Sequence, residues 1–373
     1  MRPVIDNLKH LPGWRTRERL VVFAVDDYGN VRVDSPTALE RMMAKGLRVT
    51  HRFDRLDAVE TREDLEQLFD VLTSVKDTRG RHAVFTPYVL SANPDFEAML
   101  TDTSQFSYEP VTRTFERLAA DQPGAYRGAW DVWTEGIRAG IVRPQFHGRE
   151  HVNVDLIERQ LLSKDEVLAM NLANRSLAAL NGEPSLPGVG FTHAFGFFDR
   201  SEVMRHRAIV ADGLRLFEEI YGSRSVTFTP PAQRLHPDLY DIVERCGVRA
   251  IDKPLFRRRR VDQDTSVREL NWLGKRRRQG HTTVVRNVVF EPNDRPEVDS
   301  VALALQHVGT AFRWRKPAII SSHRVNFCGH IDEGNRTHGL AELKGLLRGI
   351  VSRWPDVQFI GADELVARIE SAG

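Results

Sequence analysis

The chain has 373 residues, and its 53 Lys and Arg against 51 Asp and Glu leave a formal charge of +2, so no global field argues for a nucleic-acid partner. With 41% hydrophobic and 28% charged residues it has ordinary globular composition. Cys246 and Cys328 alone do not make a disulfide framework, no run approaches the ~18 to 20 apolar residues of a membrane span, and the first residues carry no apolar signal region; the expectation is a cytoplasmic protein with reduced thiols.

Residues 1–18 read as an N-terminal extension. The apolar, β-branched run RLVVFAV at 19–25 predicts a buried strand that stops at the polar DDYGN. A helix is expected over 35–45, with Ser35 as N-cap and Pro36 in its first turn. Residues 48–53 predict a second strand. Leu65, Leu68, Phe69 and Leu72 recur at helical spacing and predict a helix over 63–75. Further strands are expected at 82–90, 142–146, 225–228, 248–251, 283–290, 317–321 and 357–360. Helical patterns fall at 202–221, 237–246, 301–312 and 339–354. This alternation predicts a parallel sheet or barrel. No repeat, low-complexity tract or linker divides the chain, so one elaborated domain over 19–373 is expected, with insertions near 91–141 and 255–282.

Residues able to bind metal or move protons fall at the expected strand exits. Asp26 and Asp27 follow the first strand, His147 and His151 follow PQF, and His323 follows AIISS. In parallel α/β folds those exits share one face, where residues distant in sequence meet. His147 and His151 stand four apart in HGREH; on a helical turn both imidazoles point the same way, though such pairs also occur on exposed helices. Two imidazoles and a carboxylate suit a divalent first-row ion with open positions. The acidic pair has its own plain reading, a turn with Gly29 at positive φ.

His193, in the aromatic and glycine-rich GFTHAFGFFD, reads equally as a sugar-subsite residue or as core. For Phe195, Phe197 and Phe198 core packing is the commoner explanation. Asn326 is a substrate hydrogen-bond donor or a turn cap. The arginine-rich runs at 257–260 and 275–278 read as solvated surface or, more sharply, as a basic rim for an anionic glycan.

Taken in order, these residues resemble the NodB-homology polysaccharide deacetylases, as a divergent member, over roughly 19–364. AVDDYG stands for that family's TFDDG, HGREH for HSxxH, FTPPAQ at 228–233 for FRPPYG, and ISSH for a strand ending in Leu–His. PQFHGREH and SSHRVNF also resemble a group known only as polysaccharide deacetylase-like. The resemblance implies a distorted (β/α)7-type barrel. It implies Asp27, His147 and His151 as ligands of a divalent metal, zinc first and cobalt, manganese or nickel as alternatives. It makes Asp26 the general base and His323 the general acid, and it places Pro230 and Arg234 beside the substrate. Thr229 departs from the pattern, because the family carries there an arginine that orients the base; Arg149 and Arg234 are the candidates to replace it. Glu150 and Asp252 are candidates to orient the ligand histidines, with a solvated surface as the plain reading of Glu150.

The activity implied is metal-dependent hydrolysis of N-acyl, chiefly N-acetyl, groups of amino sugars in an oligo- or polysaccharide. Three rivals stay open. A carbohydrate-binding relative without turnover fits the loss of the third-motif arginine. A glycoside hydrolase would need two carboxylates flanking the bond, ~5 to 9.5 Å apart. The YdjC-like deacetylases also begin with a strand and an Asp–Asp pair.

Overall fold

In the computed structural model, residues 7, 9–182, 188–262, 265–276 and 280–372 are described. Of the basic run at 275–278, Arg277 and Arg278 lie outside these residues, as do most of positions 1–8.

Thirteen strands are found among the described residues. They are β1 (Arg19–Tyr28), β2 (Phe85–Leu90), β3 (Ala92–Pro94), β4 (Tyr108–Pro110), β5 (Gln145–Gly148), β6 (Thr227–Phe228), β7 (Ala250–Asp252), β8 (Phe256–Arg260), β9 (Ser266–Leu270), β10 (Thr282–Val284), β11 (Val288–Val289), β12 (Ala318–His323) and β13 (Val357–Phe359). Nine of them form one sheet in the order β10-β7-β6-β5-β2-β1-β12-β11, with β13 joined to the start of β1. Every pairing in that sheet is parallel.

The sheet is a distorted (β/α) barrel, and its connectivity explains why. Eight strands laid flat would span about 34 Å at the usual ~4.8 Å spacing. Yet the outermost strands, β10 and β11, are consecutive in sequence and joined by only residues 285–287. A link that short reaches at most roughly 14 Å. The sheet therefore curls until its two edges almost meet, and residue 286 stands in the seam. Residues 283–290, expected as one strand, are thus two short strands on opposite edges.

Side-chain alternation sorts what lies inside from what lies outside. Val21, Phe23 and Val25 of β1 join the larger core with the surrounding helices. Leu20, Val22 and Ala24 join a smaller core with Tyr88, Ala250, Val284 and Ile319 from other strands of the sheet, which fills the barrel interior. The helix Ala362–Ser371 closes its lower end through Leu365, Val366 and Ile369. Two residues beyond Ala24, Ala250 and Val284 come Asp26, Asp252 and Arg286, and four beyond Ile319 comes His323. The same inward parity that packs the barrel floor with apolar groups therefore brings charged groups to its C-terminal mouth.

Residues 48–53, expected as a strand, instead lead into the short helix Arg52–Leu56. The expected helix at 237–246 begins as a 3-10 turn, Pro237–Leu239, before Tyr240–Arg245. The helix Glu202–Tyr221 has the expected bounds and ends at Gly222 with φ +72°, a left-handed cap that suits glycine. The long connection at 91–141 holds the hairpin of β3 and β4 and four helices, and that at 255–282 holds the hairpin of β8 and β9. No helix among the described residues is long and apolar enough to cross a membrane.

Candidate metal centre and its surroundings

Asp27 has the wrong strand parity to face the cavity, and the backbone corrects it. Its φ is +77°, and the β1–β2 register shifts between Val25 and Tyr28. A left-handed non-glycine residue of this kind stores strain and re-aims its side chain. Gly29, at φ +76°, completes the turn, with its N–H donating to the buried Glu60 carboxylate. Phe146 of β5 packs outward with the helices, so His147 points inward.

The structure brings Asp27, His147 and His151 together. The Asp27 Oδ1 atom lies 3.2 Å from His147 Nε2 and 3.1 Å from His151 Nε2. One donor atom from each of the three can be chosen so that all lie within 4.8 Å of one another. His147 Nδ1 lies 2.6 Å from the Thr229 carbonyl oxygen. A carbonyl only accepts, so Nδ1 carries the proton and donates it. In the neutral ring the Nε2 lone pair then faces a carboxylate oxygen, an arrangement that repels unless a cation lies between them. The donor set therefore fits a divalent ion on the chain's own atoms. Burial works to raise the Asp27 carboxyl, but the two histidines beside it and the charge of His323 outweigh it and hold it well below the usual range. Burial is the main reason that His151 titrates below an ordinary histidine.

These groups open into a cavity of about 570 Å³, also lined by Asp26, Pro230, Arg286 and His323 on one side and Arg32, Phe53, Asp54 and Phe191 on the other. Asp26 is gripped by a guanidinium that the sequence reading missed. Arg286 Nη2 donates to Asp26 Oδ1 at 2.7 Å, and Nη1 donates to Oδ2 at 2.8 Å. Its Nε lies 2.7 Å from Asp252 Oδ2, and Nη2 also donates to the Thr229 hydroxyl at 2.9 Å. Burial disfavours the charge on Arg286, but Asp252 and Asp26 more than restore it. The guanidinium missing at position 229 thus arrives from the barrel seam. Arg149 and Arg234, the sequence-based replacements, do not reach Asp26: Arg149 pairs with Glu150 and Asp212, and Arg234 donates to the Gly188 carbonyl.

His323 Nε2 lies 4.0 Å from Asp26 Oδ2, and its Nδ1 lies 2.6 Å from Glu291 Oε1. Glu291 is held in turn by Arg52 and by the Asn326 side-chain amide. The Phe53 and His323 rings meet edge to face. Burial alone would lower His323, but the Glu291 hydrogen bond and charge, joined by Asp27 and Asp26, raise it to about 9. A histidine raised from 6.5 contributes stability that is complete below the unfolded value and lost as pH rises through the folded one. Chelated, metal-free protein should therefore lose stability in urea between about pH 6.5 and 9. Glu291→Gln should flatten that loss; an equal pH dependence in both proteins would contradict the pairing.

Other expected residues sit elsewhere. His193 does not line the cavity; its Nδ1 accepts from the Gly190 N–H and braces the loop, and burial lowers it to about 4. Asn326 is fully buried, binding Glu291, Arg52 and the His323 carbonyl, so it positions the acid candidate instead of meeting substrate. Arg234 lines a neighbouring cavity. Phe195 and Phe197 are core, packed on His206 and His236, whereas Phe191 does line the cavity beneath Arg32. Glu150 is buried against Arg149 and is not solvated surface; the partner that orients His147 is the Thr229 carbonyl, and Asp252 serves Arg286.

No family model and no curated protein sequence matches the chain. Solved structures do. It is similar to a probable polysaccharide deacetylase from Pseudomonas aeruginosa PAO1 (11% identity, 95% of this chain and 92% of that one, TM-score 0.44). It is also similar to Puue allantoinase (13%, 96% and 92%, TM-score 0.45) and to a 4-alpha-glucanotransferase from Thermococcus litoralis (7%, 94% and 40%, TM-score 0.47). Polysaccharide deacetylases are thus among the structures this chain resembles, beside enzymes named for other reactions. Likeness this remote carries no activity across, so the case for function rests on the residues in the cavity.

Proposed function

We propose that the chain is a metal-dependent carbohydrate deacylase that hydrolyses N-acyl, chiefly N-acetyl, groups of amino sugars within an oligo- or polysaccharide. The observation that carries this reading is the placement, at one mouth of the barrel, of an Asp–His–His donor set beside a carboxylate and a histidine that are themselves neighbours. Asp27, His147 and His151 would hold the ion, with zinc the best match to two imidazoles and one carboxylate and cobalt, manganese or nickel as alternatives. Bound there, the ion would polarise the acyl oxygen and acidify a water.

The chain's own residues supply the proton transfers. Asp26, oriented through both oxygens by Arg286, is placed to accept the proton of the attacking water. His323 is placed to give a proton to the departing nitrogen. An amine must be protonated to leave, and Glu291 holds His323 in the charged form that can do it. Phe191 and Phe53 add apolar surface to the cavity wall, each with a guanidinium over its ring, from Arg32 and Arg52. The reading without turnover drew on the missing guanidinium at position 229, and Arg286 removes that motive.

Asp26→Asn should retain the metal and lose ~10²- to 10⁴-fold in turnover, because an amide cannot accept the water proton. Acid release from a panel of acylated mono- and oligosaccharides, assayed with each of the four metals, is the test. Comparable rates in Asp26→Asn and wild type would remove Asp26 from this role. Turnover confined to free monosaccharides would contradict the polymeric substrate.

A further inference from the structure

A second cavity of about 470 Å³ adjoins the first, a size usual for small-ligand sites. Ala232 and Gln233 line both cavities and form the ridge between them. That ridge is held in an unusual shape: both residues are left-handed, with φ of 53° and 52°. Gln233 is tied on one side to Asp252 through its side-chain amide, and on the other to Arg257 through its backbone carbonyl. A chain of sugars seated in the first cavity can therefore continue over the ridge into the second.

The lining of the second cavity is basic. Arg234, Arg257, Arg258, Arg259 and Arg260 all border it, four of them supplied by β8 in the long insertion. Among the described residues, Glu269 pairs with Arg257 and Arg259. Arg234 donates to the Gly188 carbonyl and Arg258 to the Ser266 hydroxyl, and neither partner carries a charge. The crowding registers on the groups themselves: burial, and then the charge of Arg260, push Arg234 below the usual arginine range. Guanidinium groups this close repel one another, and an anion seated among them would relieve that repulsion.

We propose that this cavity is a subsite for an anionic sugar, one whose ring carries a carboxylate or sulfate, adjacent in the polymer to the sugar being deacylated. The inference rests on the deacylase reading for its acylated sugar, and its anionic half is tested by binding alone. Arginines bind such oxyanions through paired, charge-assisted hydrogen bonds.

The experiment is calorimetric titration of the full chain with three probes. One is a tetrasaccharide of N-acetylglucosamine, the second a tetrasaccharide alternating N-acetylglucosamine with glucuronate, and the third the sulfated form of the second. The two charged probes distinguish carboxylate from sulfate. At low salt the better charged probe should bind wild type at least about tenfold more tightly than the neutral one, with the advantage shrinking as salt rises. Arg258→Ala/Arg260→Ala and, separately, Arg234→Ala should cut that advantage while leaving the neutral probe nearly unaffected. Equal affinities in wild type, or an anionic preference that survives the loss of these arginines, would overturn the subsite. The salt dependence of wild type decides the matter even if a variant fails to fold. Charged probe bound through these arginines, with no acid released when metal is present, would sink the deacylase reading and leave the subsite standing.

Discussion

Arg286→Ala should be the most damaging single substitution away from the metal ligands. It leaves Asp252, 1% exposed, and the buried Asp26 without their shared counter-charge. Breaking a buried ion pair from one side costs about 3 to 5 kcal/mol, since the stranded charge has neither water nor a partner. Arg286→Lys should recover only part of this, because one ammonium cannot reproduce two nitrogens donating to Asp26 and Thr229 with a third beside Asp252. The sign of the pH effect follows. Burial already raises Asp252 despite the opposing pull of Arg286, and without the arginine it rises further. A carboxyl raised above its unfolded value destabilises when ionised, so the deficit should shrink as pH falls and the group protonates. Unfolding in urea at pH 5 and pH 8 checks this, and a second substitution, Asp252→Asn, should return part of the loss. A deficit below about 1 kcal/mol at pH 8 would mean that the network is not the brace described.

His151→Ala should abolish stoichiometric metal binding and reduce acid release to background while the protein stays folded. His151 sits at the cavity wall with its side chain 14% exposed, and after its removal the buried Asp27 still has His147 beside it. Asp27→Asn is the matching test at the other ligand. Asparagine tolerates left-handed φ at least as well as aspartate does, so this change removes the anionic ligand without adding backbone strain. Asp27→Ala combines both effects and should be the less stable protein. Metal content by elemental analysis, beside thermal unfolding of the chelated proteins, separates ligand loss from misfolding. Metal retained at full stoichiometry in either His151→Ala or Asp27→Asn would place the ion elsewhere.

Much of this was legible in the sequence because barrel chemistry is written at strand exits. Asp26, Asp27, His147 and His323 each stand at the exit of an expected strand; inward parity aims Asp26, His147 and His323, and the left-handed backbone at Asp27 aims the fourth. What could not be read were contacts made across the seam. Arg286 interrupts the apolar run TTVVRNVVF, and a charge in such a run signals a buried partner. Read as one strand, however, 283–290 hides the break that puts Arg286 between the two edges of the sheet. Glu291 likewise follows a strand, but its pairing with His323 depends on β11 lying beside β12. Asn326, three residues beyond the acid candidate, suggested a substrate contact because sequence distance does not reveal burial. The failed strand at 48–53 has a similar cause: its last residues, Arg52 and Phe53, turn as a helix to reach Glu291 and His323.

On the proposed reading, one divalent ion held by Asp27, His147 and His151 is required for acyl transfer to water. Its most direct test is a single titration. Purified protein is stripped with a chelator, zinc is returned in substoichiometric steps, and released acid is measured from an N-acetylated oligosaccharide at each step. No acid release is expected from the stripped protein, followed by a linear recovery that ends at one ion per chain. Full activity in the stripped protein would contradict it.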